Sequence, residues 1–150
     1  MEFTTKINGI RKILINTTFG GFTVPVKAIN NAFFNGRGVP YKKMSSTHWE
    51  KVDVEVETYG TIFLASESLS GPTAFFDVEK AAKRCRVYGF RIEPWSEKYR
   101  LSEKIIAEVE RNPGSYPSLK VVALDPAKEY TLHDYDGKEY ITENEKIVSI

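Results

Sequence analysis

The sequence is poor in cysteine, in histidine and in long apolar runs. Among 150 residues there are one cysteine and two histidines. Cys85 has no second cysteine with which to form an internal disulfide or a cysteine-rich zinc site, and we interpret it as structural. The longest apolar stretches, at 13–15 and 61–65, are far shorter than the roughly 20 residues that cross a bilayer. Residues 1–11 lack a signal-peptide pattern. The sequence therefore predicts a cytosolic protein without a membrane span.

An excess of charge of one sign is also missing. Twenty-one lysines and arginines oppose twenty aspartates and glutamates. No global field would draw such a chain to nucleic acid or to an anionic membrane, so any anion site must be local. The hydrophobic fraction of 41% and the charged fraction of 27% are typical of globular proteins. This length fits one domain, and we predict a single domain over residues 1–150.

The first elements are predicted from apolar spacing and from glycine. Residues 11–16 carry an isoleucine-rich run that predicts a buried strand. A helix follows, with Thr23 as its cap, Pro25 in its first turn and apolar residues at helical spacing over 26–33. Asn35 and the glycine after it end the helix. The order is strand, glycine turn, helix.

The middle of the chain predicts a loop followed by a hairpin. Residues 36–48 contain glycines, serines and basic side chains, and we interpret them as a mobile basic loop. Residues 52–57 alternate valine with an acidic residue, which is typical of a strand with one wet face. This strand and the apolar run 61–65 predict a β-hairpin. Asp77 is then expected to cap a short helix.

The last third of the chain repeats these signals. A helix with apolar residues at helical spacing over 101–109 is predicted, with Ser96 or Ser102 near its start and Asn112-Pro113-Gly114 at its end. Predicted strands cover 87–92, 119–124 and 130–135, the last forming a hairpin with 140–141 around Asp136-Gly137. The whole pattern predicts an α/β fold, with α+β as the alternative. It comprises a small mixed sheet, about three helices and an inserted β-hairpin.

The most informative segment is the glycine turn after the first strand. Two glycines between a strand and a helix let a backbone approach a ligand closely, and a helix N-terminus offers free N–H groups to an anion. This favours a phosphate site. The segment matches neither a Walker loop nor the dinucleotide fingerprint, and a plain turn with glycine for geometry alone is the alternative. Its residues are Asn16, Phe19, Gly20, Gly21 and Phe22.

A second cluster interleaves basic and aromatic residues. Guanidinium groups grip phosphates and aromatic faces stack on bases, so the cluster is compatible with a nucleotide site. The alternative is a solvated helix face followed by a strand whose aromatics fill the core. The cluster comprises Lys83, Arg84, Arg86, Tyr88, Phe90, Arg91 and Trp95.

The acidic segment 133–139 superficially suggests metal or acid–base chemistry. Only His48 and His133 could supply imidazole, neither has zinc-type spacing, and Asp-Gly is a standard turn signal. No nucleophile-elbow sequence or Cys/His pairing is present. We therefore predict no metal, no cofactor and no catalytic residue.

Three segments carry a resemblance to a family of small bacteriophage proteins, most of them uncharacterised. Residues 12–16 followed by Phe-Gly-Gly-Phe at 19–22 resemble the family's opening strand and turn. Residues 91–94 resemble its Arg-x-acid-Pro step, and 119–139 resemble its closing strands. Residues 36–90 do not match and look like a family-specific insertion.

The family also resembles the Thoeris anti-defence proteins, which sequester cyclic ADP-ribose-type or cyclic oligonucleotide signals without cleaving them. The resemblance implies a non-enzymatic phage protein in the host cytoplasm, with a small nucleotide signal as its partner. It implies no membrane and no stable nucleic-acid partner, and it leaves homo-oligomerisation open. The implied ligand-binding residues are Asn16, Phe19, Gly20, Gly21, Phe22 and Arg91.

The alternative is an inhibitor that contacts a host or defence enzyme directly. In this hypothesis the inserted segment exposes aromatic and basic anchors, which are the residue types that dominate protein interfaces. Those anchors would be Arg37, Tyr41, Lys42, Lys43, Trp49 and Tyr59. A nucleotide-processing enzyme is least favoured, because acid, base and nucleophile cannot be assigned.

Overall fold

A computed structural model describes residues 2–46, 48–55, 60–69 and 77–148. The chain divides into two compact units, residues 1–24 with 95–150 and residues 25–94, which we call the terminal unit and the central unit. The described part contains three α-helices, one 3₁₀ helix and ten strands, so the α+β class is confirmed. Among these residues no helix is long and apolar enough to cross a membrane.

The strands pair in three sheets, and every pairing is antiparallel where we predicted a mixed sheet. In chain order the elements are β1 (Glu2–Asn8), β2 (Lys12–Asn16), α1 (Val26–Phe34), β3 (Val39–Lys43), β4 (Trp49–Lys51), β5 (Ile62–Ala65), α2 (Val78–Arg84), β6 (Gly89–Ile92), the 3₁₀ helix (Glu97–Leu101), α3 (Glu103–Arg111), β7 (Leu119–Ala123), β8 (Glu129–Tyr135), β9 (Lys138–Glu143) and β10 (Lys146–Ile147).

The terminal unit contains two sheets. One has the order β1-β8-β9-β10, and the other is the pair β2-β7. The predicted strands 11–16 and 119–124 thus lie in one sheet; Ile13 and Ile15 are buried, whereas Val121 is half-buried. Apolar side chains of both sheets form one core, made of Ile13, Ile15, Val122, Tyr130, Leu132 and Ile141.

The local signals of the terminal unit are confirmed. Ser102 caps α3 by accepting a hydrogen bond from the backbone N–H of Ile105 at 3.4 Å. Asp136 and Gly137 both have positive φ, the requirement of a two-residue type I′ hairpin, and they join β8 to β9. Strand β1 was not predicted. Its pattern is polar, and only its pairing with β8 defines it as a strand.

The central unit is built on one four-stranded sheet of order β4-β3-β5-β6. The side chains of α2 pack on one face, where Tyr41, Trp49 and Phe63 join Val78 and Ala82 in a buried cluster. Side chains on the other face contact α1, whose Phe33 and Phe34 rings lie 5.6 and 5.5 Å from the Phe90 ring.

The predicted hairpin of the central unit is wrong. Residues 36–48 are not a loop throughout, because they contain β3, and β3 lies between β4 and β5 in the sheet. The strand predicted at 52–57 occurs earlier, as β4. Val52 is half-buried and Asp53 exposed, as the alternation predicts, but both follow the strand. Residues 56–59 lie outside the described residues. Strand β3 was not predicted, because the sequence around Tyr41 is rich in glycine and lysine. The Tyr41 side chain is buried in a cluster that includes residues of α2, which is distant in sequence.

The predicted ends of the helices agree with the structure, but the predicted N-cap of α1 does not. Pro25 occupies the N-cap of α1 without a side-chain hydrogen bond, so the prediction of Thr23 as the cap is wrong. Asn35 adopts the left-handed conformation that ends the helix, as predicted. The Asp77 carboxylate accepts hydrogen bonds from the backbone N–H groups of Glu79 and Lys80 at 3.0 and 3.2 Å, which confirms its predicted role.

Replacing Asp77 with alanine tests the cap of α2. We expect the Asp77→Ala variant to lose about 1 kcal/mol of unfolding free energy, because two N–H groups of the first turn lose their acceptor. Asp77→Asn is the matched control and should be nearly neutral, since asparagine caps equally well. Urea denaturation followed by circular dichroism measures both. Equal losses in the two variants would contradict the capping role.

Candidate functional site

The glycine turn, defined here as residues 16–22, closes on the protein's own backbone. Gly20 and Gly21 have φ of 112° and 95°, a region that L side chains rarely adopt. The Gly20 N–H donates to the carbonyl oxygen of Asp136 at 3.2 Å. A Cβ built on Gly137 would lie 2.0 Å from the Gly21 nitrogen. Gly137 is therefore the glycine that permits the close approach of the turn to the β8–β9 hairpin, whereas a Cβ on Gly20 or Gly21 would meet no atom within 4 Å.

Asn16 holds this contact together from a buried position. Its Nδ2 donates to the carbonyl oxygens of Thr18 and Gly137, at 2.6 and 2.5 Å. Its backbone N–H donates to Oε1 of Glu139 at 2.7 Å. The amide group that we predicted to bind a ligand is thus engaged with the turn and the hairpin.

A buried ion pair between Arg100 and Glu139 lies beside the turn, and sequence analysis missed it. Arg100 donates to both Glu139 carboxylate oxygens, at 2.8 and 2.5 Å. It also donates to the carbonyl oxygen of Leu14 at 3.1 Å and to both carboxylate oxygens of Glu97. All five guanidinium N–H groups therefore have acceptors. No donor of Arg100 is left for a ligand.

This pair supplies hydrogen-bond partners for backbone groups of β2 on the side of the strand that does not face β7. The Thr17 N–H donates to Ser118 in the β2–β7 ladder, and strand alternation then turns the backbone groups of Leu14 and Asn16 away from β7. Arg100 supplies the donor for the Leu14 carbonyl, and the carboxylate of β9 supplies the acceptor for the Asn16 N–H. Side chains thus replace a missing strand.

Phe22 completes the environment of the buried guanidinium. The Cζ of Arg100 lies 3.9 Å from the centroid of the Phe22 ring, which is itself buried. Burial opposes the charged form of Arg100, but its hydrogen bonds to Glu139 and Glu97 outweigh burial and raise its pKa above the ordinary value. Phe22 therefore stabilises a cation inside the terminal unit.

The helix does not begin directly at the glycines. Four residues separate Gly21 from Val26, where α1 begins, and residues 21–25 form no regular structure. Phe19 is 65% exposed, with Lys138 Nζ 5.8 Å from its ring centroid. The structure thus gives four of the five predicted turn residues internal contacts and leaves the Phe19 ring to solvent.

The sixth predicted residue, Arg91, lies in the central unit on a cleft of about 550 Å³. We call it the α2–β6 cleft, because its lining residues come from α2, from β6 and from the turn between them. The lining residues that carry a charge or an aromatic ring are Phe63, Glu79, Lys83, Tyr88, Phe90 and Arg91.

Arg91 is oriented but not saturated. Its Nε donates to Oε1 of Glu79 at 2.5 Å, and its Cζ lies 5.6 Å from the Trp49 ring centroid. The side chains of Arg91 and Glu79 are 46% and 49% exposed. Within the described part of the chain, the two terminal nitrogens of Arg91 have no hydrogen-bond acceptor. This guanidinium can therefore bind an anion without first breaking an internal contact.

The rest of the basic–aromatic cluster is divided. Tyr88 and Phe90 both line the cleft, and both rings contact the Phe34 ring of α1, at 5.9 and 5.5 Å between centroids; the Tyr88 side chain is nevertheless 69% exposed. Arg84 and Arg86 are exposed but do not line the cleft, and Trp95 belongs to the terminal unit. The structure therefore brings together Lys83, Tyr88, Phe90 and Arg91 from the predicted cluster.

A second cleft of about 560 Å³ lies on the polar face of the β1-β8-β9-β10 sheet. His133 Nδ1 lies 2.7 Å from Oε1 of Glu2, and its Nε2 lies 2.8 Å from Oγ1 of Thr142. The Tyr140 hydroxyl also donates to Glu2, at 2.7 Å. Hydrogen bonds from Tyr140 and His133 lower the pKa of Glu2, and the Glu2 carboxylate raises the pKa of Tyr140. These side chains tie three strands together.

The partners of His133 could not be found from local sequence. We considered it beside Asp134 and Asp136, but its acidic partner is Glu2, 131 positions away on β1. Among the described residues, no group of three or more His, Cys, Asp or Glu side chains could hold a metal ion.

Comparison of the chain with known protein families, with curated proteins and with solved structures found no match. The resemblance to small phage proteins therefore remains a prediction. The features of the protein that indicate a function are the side chains of the α2–β6 cleft and the exposed surfaces of each unit.

Replacing Glu139 with glutamine tests the buried ion pair. Glu139→Gln leaves the buried Arg100 cation without its main counter-charge, and we expect a loss of about 3 kcal/mol of unfolding free energy. Glu97→Gln is the control, because the Glu97 side chain is 74% exposed and should contribute less than about 1 kcal/mol. Urea titration of both variants measures the difference. Equal, small losses would show that the terminal unit does not depend on this pair.

Proposed function

We propose that this chain is a phage anti-defence protein that binds a small cyclic nucleotide-type immune signal in the α2–β6 cleft. It sequesters the signal, uncleaved, in the host cytoplasm. The observation that supports this most is the half-exposed Arg91 guanidinium, which Glu79 and Trp49 orient and whose terminal nitrogens have no acceptor among the described residues.

The cleft offers the two kinds of contact that a nucleotide needs. Arg91 and Lys83 supply cations for phosphate oxygens, and the planar guanidinium can bind two of those oxygens at once. The exposed Tyr88 ring supplies a face on which a base can stack. These contacts recognise charge and an aromatic ring together, so they favour nucleotides over simple anions.

Glu79 sets an upper limit on anion affinity. Its carboxylate carries a negative charge into the cleft and accepts a hydrogen bond from Arg91. The cleft therefore has two cations against one anion among Lys83, Arg91 and Glu79. Neutralising Glu79 should strengthen the binding of a phosphate, because the like-charge repulsion between the carboxylate and the phosphate would be removed.

The resemblance of residues 12–22, 91–94 and 119–139 to small phage proteins supplies the biological setting of the proposal. Arg91 is the residue on which that resemblance and the cleft agree. The glycine turn enters the proposal only as the structural support of the terminal unit.

Calorimetric titration against cyclic ADP-ribose isomers and cyclic di- and trinucleotides tests the proposal. We expect Arg91→Ala to weaken binding about ten- to hundredfold, since a charge-assisted hydrogen bond contributes ~1.5 to 3 kcal/mol. Tyr88→Leu should weaken it about fivefold or more through lost stacking. Arg84→Ala is the matched control, because it removes the same charge from an exposed position away from the cleft.

Recovery of the bound nucleotide after heat denaturation separates sequestration from cleavage. Mass spectrometry should find the ligand chemically unchanged. Absence of binding at about millimolar nucleotide would refute the proposal, as would equal weakening by Arg84→Ala and Arg91→Ala in folded proteins. Release of a cleaved product would refute sequestration and identify an enzyme.

A protein-binding inhibitor is the second candidate, and the edge of β6 favours it. The Ser66 N–H donates to the Tyr88 carbonyl, so strand alternation turns the backbone groups of Gly89 and Arg91 away from β5. Among the described residues these groups have no strand partner, and an extended segment of another protein could pair with them.

The prediction from sequence of the anchor residues of such an inhibitor is wrong in part. Tyr41 and Trp49 are 1% and 2% exposed and belong to the core of the central unit, so they cannot act as anchors. Tyr59 lies outside the described residues. Native mass spectrometry of protein isolated from its host separates the two functions, because a nucleotide-sized adduct supports capture and a bound protein supports inhibition.

A further inference from the structure

Strand β1 is a long, open sheet edge in the terminal unit. It pairs with β8 over seven residues, Glu2–Asn8. In the described chain its other side has no strand partner. Six of its seven residues are exposed, including Phe3 at 64%. An open edge of this length is a template for pairing with another strand, and natural proteins usually block such edges.

The alternation of hydrogen-bonded residues across the sheet defines which backbone N–H and C=O groups of β1 face outward. The Val148 N–H donates to the Ile141 carbonyl, so Tyr140 and Thr142 direct their backbone groups to β8. Because alternate residues of β8 face β9 and β1, the backbone groups of Phe3, Thr5 and Ile7 are the ones that form hydrogen bonds with β8. The N–H and C=O groups of the remaining β1 residues point away from the sheet. Those residues are Glu2, Thr4, Lys6 and Asn8.

These outward groups fit a second copy of β1 in one antiparallel register. If Thr4 lies opposite Thr4 of the second copy, three of the four outward residues meet outward residues, and Glu2 meets Lys6 in both directions. The register can shift only in steps of two residues if outward groups are to stay opposite each other, and a shift of one such step in either direction removes both charge pairs. A shift of two steps places Glu2 opposite Glu2, or Lys6 opposite Lys6. Charge and hydrogen-bond phase thus select the same register.

The side chains in this register are available. Glu2 uses Oε1 for both His133 and Tyr140, and its Oε2 has no acceptor role among the described contacts. Lys6 is exposed and donates only to Oγ1 of Thr131, at 3.3 Å. Phe3 would lie opposite Thr5 of the second copy, an aromatic and β-branched pair that stabilises antiparallel strands.

We propose that the chain forms a symmetric homodimer through antiparallel pairing of β1 with β1 of a second copy, centred on Thr4. The two four-stranded sheets then form one continuous sheet of eight strands. Two reciprocal Glu2–Lys6 pairs fix the register. This proposal concerns the terminal unit and is independent of ligand capture in the central unit.

Thr4→Pro tests the central pairing. Proline removes the outward N–H of Thr4 and leaves the β8 ladder intact, because that N–H takes no part in it. We expect dimer affinity to fall about ten- to hundredfold, since both hydrogen bonds at the two-fold axis are lost. Thr4→Val keeps the N–H and is the matched control. Sedimentation equilibrium gives the association constants, and circular dichroism confirms folding.

Charge reversal tests the register without proline. Lys6→Glu and Glu2→Lys should each weaken self-association about tenfold, because like charges then face each other twice. An equimolar mixture of the two variants should recover a heterodimer, in which both pairs are again of opposite charge. A structural defect in either variant could not be rescued by mixing.

Three results would overturn the proposal. These are a monomeric unmutated protein at concentrations up to about 0.2 mM, a dimer that withstands Thr4→Pro, and single charge variants whose mixture gives no heterodimer. A dimer that withstands Thr4→Pro would place the interface elsewhere on the chain.

Discussion

The terminal unit depends on one buried interaction, the ion pair between Arg100 and Glu139. Strand β2 has β7 on one side only, and the backbone groups on its other side are buried. Such groups need hydrogen-bond partners, because an unsatisfied buried N–H or C=O costs about as much as a lost hydrogen bond. Arg100 and Glu139 satisfy Leu14 and Asn16 and neutralise each other. One pair of side chains therefore replaces a strand and balances two buried charges.

This constraint explains the Phe-Gly-Gly-Phe sequence in structural terms. Phe22 covers the buried guanidinium, and Gly20 and Gly21 supply the positive φ angles of the turn that lies against the β8–β9 hairpin, which carries Glu139. Residues that suggested a ligand site thus act in folding. The contrast with Arg91 is chemical. Arg100 has all its donors engaged in a buried site, whereas two nitrogens of the half-exposed Arg91 have no acceptor in the part of the chain that the structure describes.

Sequence analysis succeeded where a short segment determines its own structure. The Asp77 cap, the left-handed Asn35 and the Asp136-Gly137 turn follow from local backbone preferences, and the structure contains all three. It failed where structure depends on distant pairing. Strand β3 is buried against α2, and the polar β1 is a strand only because it pairs with β8.

The candidate site shows the same division. The sequence could indicate Arg91 and its aromatic neighbours because they are adjacent in the chain. It could not reveal that Glu79 and Trp49 orient the guanidinium, nor that Arg100 pairs with Glu139 39 positions away. Charged pairs of this kind have no sequence periodicity, so only the fold shows which cations remain open to a ligand.

The central claim is that ligand binding belongs to the α2–β6 cleft and that the glycine turn is structural. Amide chemical-shift mapping with a cyclic dinucleotide tests both parts at once. The account predicts shifts at Lys83, Tyr88 and Arg91, with residues 19–22 unchanged. Shifts confined to residues 19–22, with none at the cleft, would contradict it.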